Sequence, residues 1–154
     1  MDFSLNEEQR LLSDSVERFV RGSYPMETRR RSIHEQGSCS PDIWRQFAEL
    51  GWLALPFAEE DGGLGGSLID TMVVLEALGK GLVVEPYIAT VVTAGGFLRR
   101  ASAGQKARWL APLLEGSLQA AFAVDEYEQV HDLAQTAMSA RRTTDNGFVL
   151  QGTK

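Results

Sequence analysis

Apolar residues recur at helical spacing through the first two-thirds of the chain. Leu5, Leu12, Val16, Phe19 and Val20 share one side of a predicted helix whose other side is charged. Ser4 and Glu7 read as a capping box, the hydroxyl taking an orphan N–H and the carboxylate returning the bond, and Gly22 reads as the helix end. Residues 23–39 are polar. Their Arg29-Arg30-Arg31 triplet reads as a solvated helix turn or loop, because no second element supports an anion site. A second helix is predicted from Ser40 as N-cap, with Pro41 at the first helical position and Asp42 complementing the dipole. Ile43, Phe47 and Leu50 form its buried face, Trp44 lies beside them, and Gly51 supplies the left-handed end. Trp52-Leu53-Ala54-Leu55 is a short buried run closed by Pro56.

Residues 59–66 read as a loop, after which Ser67 and Asp70 cap a third helix. Met72, Val73, Leu75, Ala77 and Leu78 give that helix an almost wholly apolar body, which predicts burial on most sides. Gly79 and Gly81 end it. Pro86 opens a fourth helix running through Ile88, Val91 and Val92 to Phe97-Leu98. Gly95-Gly96 inside it costs about 1 kcal/mol per glycine relative to alanine, so the pair predicts a close backbone approach or a kink. A shorter helix over Gln105 to Leu110 stops before Pro112. After Gly116 the pattern becomes strand-like, over 119–124, 136–143 and 147–152. Asp145-Asn146-Gly147 marks a hairpin turn with positive φ at Asn and Gly. The fold class expected is mainly α: a helical domain over 1–116, then the beginning of a β domain over 117–154. So few strands do not make a stable sheet alone. The chain therefore reads as a truncated piece, or as one that leans on another subunit.

Composition narrows the class. Of 154 residues 44% are apolar and the net charge is −6, too apolar and too weakly charged for disorder. An acidic balance disfavours nucleic acid and anionic membrane surfaces as partners. Cys39 has no second cysteine to pair with, and the two histidines, His34 and His131, complete no zinc-type spacing. The polar start is not what a signal peptide would show, so none is expected. The weakly polar run over 87–98 is shorter than the roughly 20 residues that span a bilayer. A cytoplasmic protein is the expectation.

The residues themselves offer little catalytic chemistry. The glycine loop over 61–66 lacks the lysine that a P-loop places next, and Glu59, Glu60 and Asp61 repel phosphate, so it reads as a structural turn. No Gly-x-Ser-x-Gly elbow accompanies either histidine. Cys39, beside the helix start at Ser40, is a candidate for a depressed pKa but has no partner base. The adjacent carboxylates Glu59/Glu60 and Asp125/Glu126 point apart on any regular element.

The order of six segments carries more. Asp2-Phe3-Ser4-Leu5-Asn6-Glu7-Glu8-Gln9 comes first, then Trp44-Arg45-Gln46-Phe47-Ala48-Glu49-Leu50-Gly51-Trp52. Glu59-Glu60-Asp61-Gly62-Gly63-Leu64-Gly65 and Leu75-Glu76-Ala77-Leu78-Gly79 follow. Residues 104–116, from Gly-Gln-Lys to Pro-Leu-Leu-Glu-Gly, and Gly147-Phe148-Val149-Leu150-Gln151-Gly152-Thr153-Lys154 complete the series. In this order they resemble the N-terminal part of a flavin-dependent acyl-CoA dehydrogenase. The resemblance implies an N-terminal helical domain, a middle β domain and a C-terminal helical bundle, with FAD held between domains and a neighbouring subunit. It implies α,β-desaturation of an acyl-CoA thioester, a homo- or hetero-oligomer (dimer or tetramer), and an electron-acceptor flavoprotein. The family's glutamate base lies in the C-terminal domain, so no catalytic residue is assigned here.

The resemblance also locates a flavin-facing stretch, Phe122 to Asp132, with Phe122, Val124, Asp125 and His131 as its cofactor-binding candidates. Glu126 and Asp132 match the family pattern. Asp125 stands where a flavin-contacting threonine is usual, Tyr127 replaces a proline, Val130 a glycine, and His131 a pyrophosphate-binding serine. A carboxylate against a flavin that becomes anionic on reduction is repelled in a low-dielectric site. Three readings stand: a fragment of a flavoenzyme, inactive alone; a non-catalytic, FAD-poor subunit of a heteromeric dehydrogenase; or a helical interaction module sharing only the fold.

Overall fold

The computed structural model describes residues 4–35, 37, 39–126 and 136–154. It divides into two compact units, residues 1–121 and 122–154. The first unit is helical. Helix α1 (Glu7–Ser23) starts from Asn6, not from Ser4. The Asn6 side chain accepts from the Gln9 N–H at 2.8 Å and the Gln9 carbonyl oxygen accepts from the Asn6 N–H at 3.1 Å. An asparagine with an amide three residues on makes the same reciprocal pair that Ser4 and Glu7 promised. The polar stretch after it is itself helical, α2 (Met26–Glu35), and Arg29 Nε donates to the Leu82 carbonyl at 2.9 Å.

Helix α3 (Pro41–Glu49) has Ser40 as N-cap, its hydroxyl accepting from the Ile43 N–H, and buries Ile43, Trp44 and Phe47. Leu50 does not join them and is 45% exposed. The chain reverses at Gly51, whose φ is +77°, and the Trp52 N–H bonds back to the Phe47 carbonyl at 3.0 Å. Trp52 therefore covers the face that Leu50 was expected to fill. Phe47 and Trp52 meet at 5.1 Å between centroids with their rings tilted by 52°, and Phe19 of α1 meets both edge-on at 5.6 and 5.3 Å. Such aromatic pairs contribute about 0.5–1.5 kcal/mol each beyond buried area, which fastens α1 to α3.

Helix α4 (Leu68–Lys80) begins with the predicted box: Ser67 Oγ accepts from the Asp70 N–H and Asp70 Oδ2 accepts from the Ser67 N–H at 2.6 Å. It lies parallel to α1. Gln9 Nε2 donates to Asp70 Oδ1 at 3.0 Å near the N-terminal ends, and Lys80 pairs with Glu17 at 3.4 Å near the C-terminal ends. Burial on most sides does not hold for α4. Thr71, Val73, Val74, Ala77 and Leu78 are buried, but Leu68, Ile69 and Met72 are exposed. One face packs on α1 and the core, and nothing in the first unit covers the other. The left-handed residue after α4 is Leu82, with φ +52°, rather than a glycine.

The predicted fourth helix is continuous but unevenly wound. Residues Ile88–Ala94 form a π-helix that passes directly into α5 (Gly95–Leu98). The two glycines differ. A Cβ on Gly95 would lie 2.6 Å from the Phe57 ring, whereas one on Gly96 would meet nothing within 4 Å. Close approach is thus the business of Gly95. The last helix does not stop before Pro112. It runs as α6 (Ala103–Gln105), a π-helix over Lys106–Leu110, and α7 (Ala111–Leu114) with Pro112 in its first turn. The wider π turn immediately before the proline gives room for a ring that would clash in a regular α-helix interior.

No strand forms over residues 119–124. Leu118 and Ala120 instead pack on the first unit's core, and Thr90 Oγ1 donates to the Ala120 carbonyl at 2.9 Å. The two compact units divide at 121/122.

The second unit holds an antiparallel hairpin, β1 (Ser139–Arg142) and β2 (Phe148–Gln151), with Ser139 opposite Gln151 and Arg142 opposite Phe148. Its turn is not the symmetric Asn-Gly type. Only Asn146 has positive φ (+69°), and its N–H closes on the Thr143 carbonyl at 3.3 Å. The tight turn is therefore centred two residues earlier, on Thr144 and Asp145, with Asn146 as the left-handed residue that closes it. Glu126 ties this unit together. Its carboxylate accepts from the Ala137 and Met138 N–H groups at 2.7 and 3.1 Å and from Lys154 Nζ at 2.7 Å. Lys154 Nζ also donates to the Val124 carbonyl at 3.2 Å.

Two outcomes test this packing. Gly95→Ala is expected to destabilise the chain by about 1–3 kcal/mol, because the new methyl meets a buried ring. Gly96→Ala is expected to gain up to about 1 kcal/mol of helix propensity. Urea denaturation of both variants checks this, and equal effects would contradict the assignment of close approach to Gly95 alone. The Lys154 ammonium, helped by the two backbone donors, holds the Glu126 carboxyl below its ordinary 4.5. A carboxyl depressed by folding stabilises at pH above its unfolded value and loses that stabilisation as pH falls through the folded one. The Ala137 and Met138 amide shifts in an NMR acid titration should therefore hold steady down to about pH 4.5 and move together only below it.

Candidate functional site

The cofactor-facing candidates fall in the second unit. Phe122 and Asp125 are exposed and Val124 is half-buried, its carbonyl engaged by Lys154. His131 lies outside the described residues. Glu126, predicted only as a pattern match, is 7% exposed and fully occupied by its three donors. What the described stretch offers a flavin is therefore an exposed, acceptor-only carboxylate at Asp125, with its neighbour Glu126 committed to the fold. Among the described residues no group of three or more His, Cys, Asp or Glu is arranged to hold a metal, and no helix is long and apolar enough to cross a membrane.

The glycine loop is structural, as its chemistry suggested. Glu59–Asp61 form one turn of 3-10 helix, and Asp61 pairs with Lys106 at 2.7 Å. The N–H groups of Gly62, Gly63, Leu64, Gly65 and Gly66 all bond to the chain's own carbonyls, at Glu59, Ala58, Ala54, Phe57 and Leu55. None is left to cradle a phosphate. Gly63 is required by proximity, since a Cβ there would lie 2.1 Å from the Phe57 carbonyl oxygen. Cys39 is half-buried and accepts from Gln119 Nε2 at 2.9 Å; burial pushes its thiol above the ordinary value, the reverse of an activated nucleophile.

The folded loop, α4 and the π-helix together enclose a hollow of about 280 Å³. Pro56 and Phe57 form one wall and the first turn of α4, with Leu68 and Thr71, a second. Val91, Val92 and Gly96 form the third. Of the predicted fourth helix, Val91, Val92 and Gly96 face the hollow, while Gly95 is in contact with Phe57. Tyr87 anchors the start of the π-helix, its hydroxyl donating to the Trp52 carbonyl at 2.8 Å, and burial pushes its phenol strongly upward. Tyr24 braces the preceding turn by accepting from the Val84 N–H at 3.2 Å, and burial pushes it up to about 12. Both phenols are thus neutral props at physiological pH.

The lining is apolar with few polar groups, as small-molecule sites are. Those few are mostly committed. Ser67 Oγ donates to Asp70 at 2.7 Å and Thr71 Oγ1 donates to the Ser67 carbonyl at 3.2 Å. Arg99 is the only charged residue of the lining, and among the described residues no carboxylate lies within ion-pair distance of it. A larger, open hollow shares Val92, Gly96 and Arg99 and adds Phe97 and Arg100. Sequence reading singled out neither Phe57 nor Arg99. The available signal was the Arg99-Arg100 pair at the end of an apolar helix.

Comparison with known proteins agrees with this architecture. The family profile "Acyl-CoA dehydrogenase, N-terminal domain" matches residues 6–117. "Acyl-CoA dehydrogenase IpdE2" of Mycolicibacterium smegmatis is 38% identical over 89 residues, 57% of this chain and 29% of that protein. The crystal structure of the ChsE4-ChsE5 complex from Mycobacterium tuberculosis superposes with a TM-score of 0.81 at 26% identity, over 99% of this chain and 40% of that one. A structure of PigA with FAD and proline gives a TM-score of 0.80 at 28% identity, with coverage of 99% and 40%. The chain spans less than half the length of each of these relatives. By the extent of the profile match and by its fold, the chain belongs to the acyl-CoA dehydrogenase family.

Proposed function

We propose that this chain forms the helical wall of the acyl-binding site in an enzyme that desaturates an acyl-CoA thioester between its α and β carbons, and that it is inactive alone. The observation that carries the reading is the apolar hollow between Phe57, α4 and the π-helix, which has the character of a seat for an acyl group. Desaturation needs a base for the α proton. Among the described residues the hollow is lined by no carboxylate, histidine or other base, so the base belongs to another part of the full protein or to a partner. What the chain supplies is an apolar binding surface: Phe57 and Val91 are buried behind it, and Leu68 and Val92 present exposed apolar area to the acyl group.

FAD is the oxidant that the family assignment implies. The described flavin-facing residues fit it poorly. Asp125 presents negative charge where an electron-accepting ring would become anionic, and Glu126 is held by Lys154 and two backbone donors rather than by a ligand. This favours a second reading, in which the chain belongs to the flavin-poor subunit of a heteromeric dehydrogenase. Likeness to one chain of the ChsE4-ChsE5 complex supports its heteromeric part.

Purified alone, the chain is expected to be colourless, to leave the visible absorbance of added FAD unperturbed, and to reduce no artificial electron acceptor with any acyl-CoA. Turnover by the chain alone would overturn the proposal. A flavin retained through gel filtration would overturn the flavin-poor reading and leave the acyl-wall reading in place.

A further inference from the structure

We infer that Arg99 recognises an anionic group, a carboxylate, at the far end of the acyl group seated in the hollow. The inference rests on the acyl-wall reading and adds the chemical class of the acyl group. Three observations carry it. Arg99 is the only charged residue lining an otherwise uncharged hollow. The other polar side chains there, Ser67 and Thr71, already donate to Asp70 and to the Ser67 carbonyl. No carboxylate of the described residues pairs with Arg99, which is exposed; this leaves its guanidinium available, as it does those of Arg10, Arg18, Arg30, Arg31 and Arg100.

A guanidinium presents a planar fork of donors that matches a carboxylate with two parallel bonds. Phe57 and Val91 are buried and give the hollow apolar walls, while Leu68 and Arg99 are exposed to solvent. The simpler account of Arg99 is helix capping, since it follows α5 directly and a cation there complements the dipole. That account applies equally to Arg100, which lines only the larger open hollow. The two arginines therefore separate the explanations. Arg99 also lines the larger open hollow of about 700 Å³, so titration with free coenzyme A, rather than volume, separates an acyl carboxylate from a coenzyme A phosphate.

The test is a set of equilibrium titrations of the purified protein, in the assembly in which it is isolated. Carboxylate-ended and methyl-ended thioesters of equal carbon number, such as adipoyl-CoA and hexanoyl-CoA and their shorter and longer homologues, are compared with free coenzyme A. At one length or more the carboxylate-ended member is expected to bind about tenfold or more tighter, as a charge-assisted bond allows. R99Q should abolish that preference, R99K should keep part of it, and R100Q should leave it intact. Equal affinity within every pair would overturn the inference while sparing the acyl-wall reading. So would an R99Q variant that loses free coenzyme A as strongly as the diacid thioester, which would assign Arg99 to phosphate. Binding of neither thioester would overturn both.

Discussion

The position of one side chain, Phe57, governs the first unit. Its ring is 1% exposed and rests against the backbone of Gly95, closer than any Cβ there would permit. Its carbonyl oxygen lies under Gly63, again closer than a Cβ would permit, and accepts from the Gly65 N–H at 2.7 Å. Two glycines at distant points of the chain thus close on one phenylalanine. Because the interior is close-packed, a shift of any of the three is transmitted to the others. The glycine-rich loop, the start of α4 and the π-helix are fixed relative to one another by this contact, and the hollow between them is its consequence.

The helix starts reinforce the arrangement. Gln9 closes the box of α1 with its carbonyl oxygen and reaches the box of α4 with its amide. Burial raises the Asp70 carboxyl, but donation from the Ser67 hydroxyl and N–H and from Gln9 outweighs this and holds it below its ordinary value. At neutral pH it is a full anion at the N-terminus of α4, where the dipole favours one. At the opposite ends Gly81 lets α4 approach Val20 of α1, where a Cβ would lie 2.3 Å from a Val20 methyl. Local capping chemistry thereby becomes tertiary structure, and α4 is held firmly enough for its first turn to serve as a wall.

Much of this was legible in the sequence because it is local. Ser40-Pro41-Asp42, Ser67 with Asp70, and the helical spacing of Val16 and Phe19 are set by neighbours a few residues away, and they form as expected. The misreadings share a cause, which is that the deciding partner is remote. Leu50 has the right spacing for burial but loses its place to Trp52, which arrives after the turn at Gly51. The apolar body of α4 predicted burial on most sides, yet burial depends on how many elements reach it, and Leu68, Ile69 and Met72 are left exposed. Pro112 looked like a stop because the winding of the preceding turn cannot be read from residue types. The same limit hid the site. Phe57 and Arg99 are 42 residues apart, and only folding brings them to one hollow. The family order of motifs, by contrast, needed no geometry, and the profile match over 6–117 agrees with it.

The claim that the hollow seats an acyl group is tested most directly by mapping where a thioester touches the protein. Backbone amide shifts of the isotope-labelled chain, recorded with increasing acyl-CoA, should move at Leu68, Thr71, Val91, Val92 and Gly96 and stay fixed around the buried face of α3. Perturbations centred elsewhere, for example on Trp44, Arg45 and Ser117, with the π-helix silent, would contradict it.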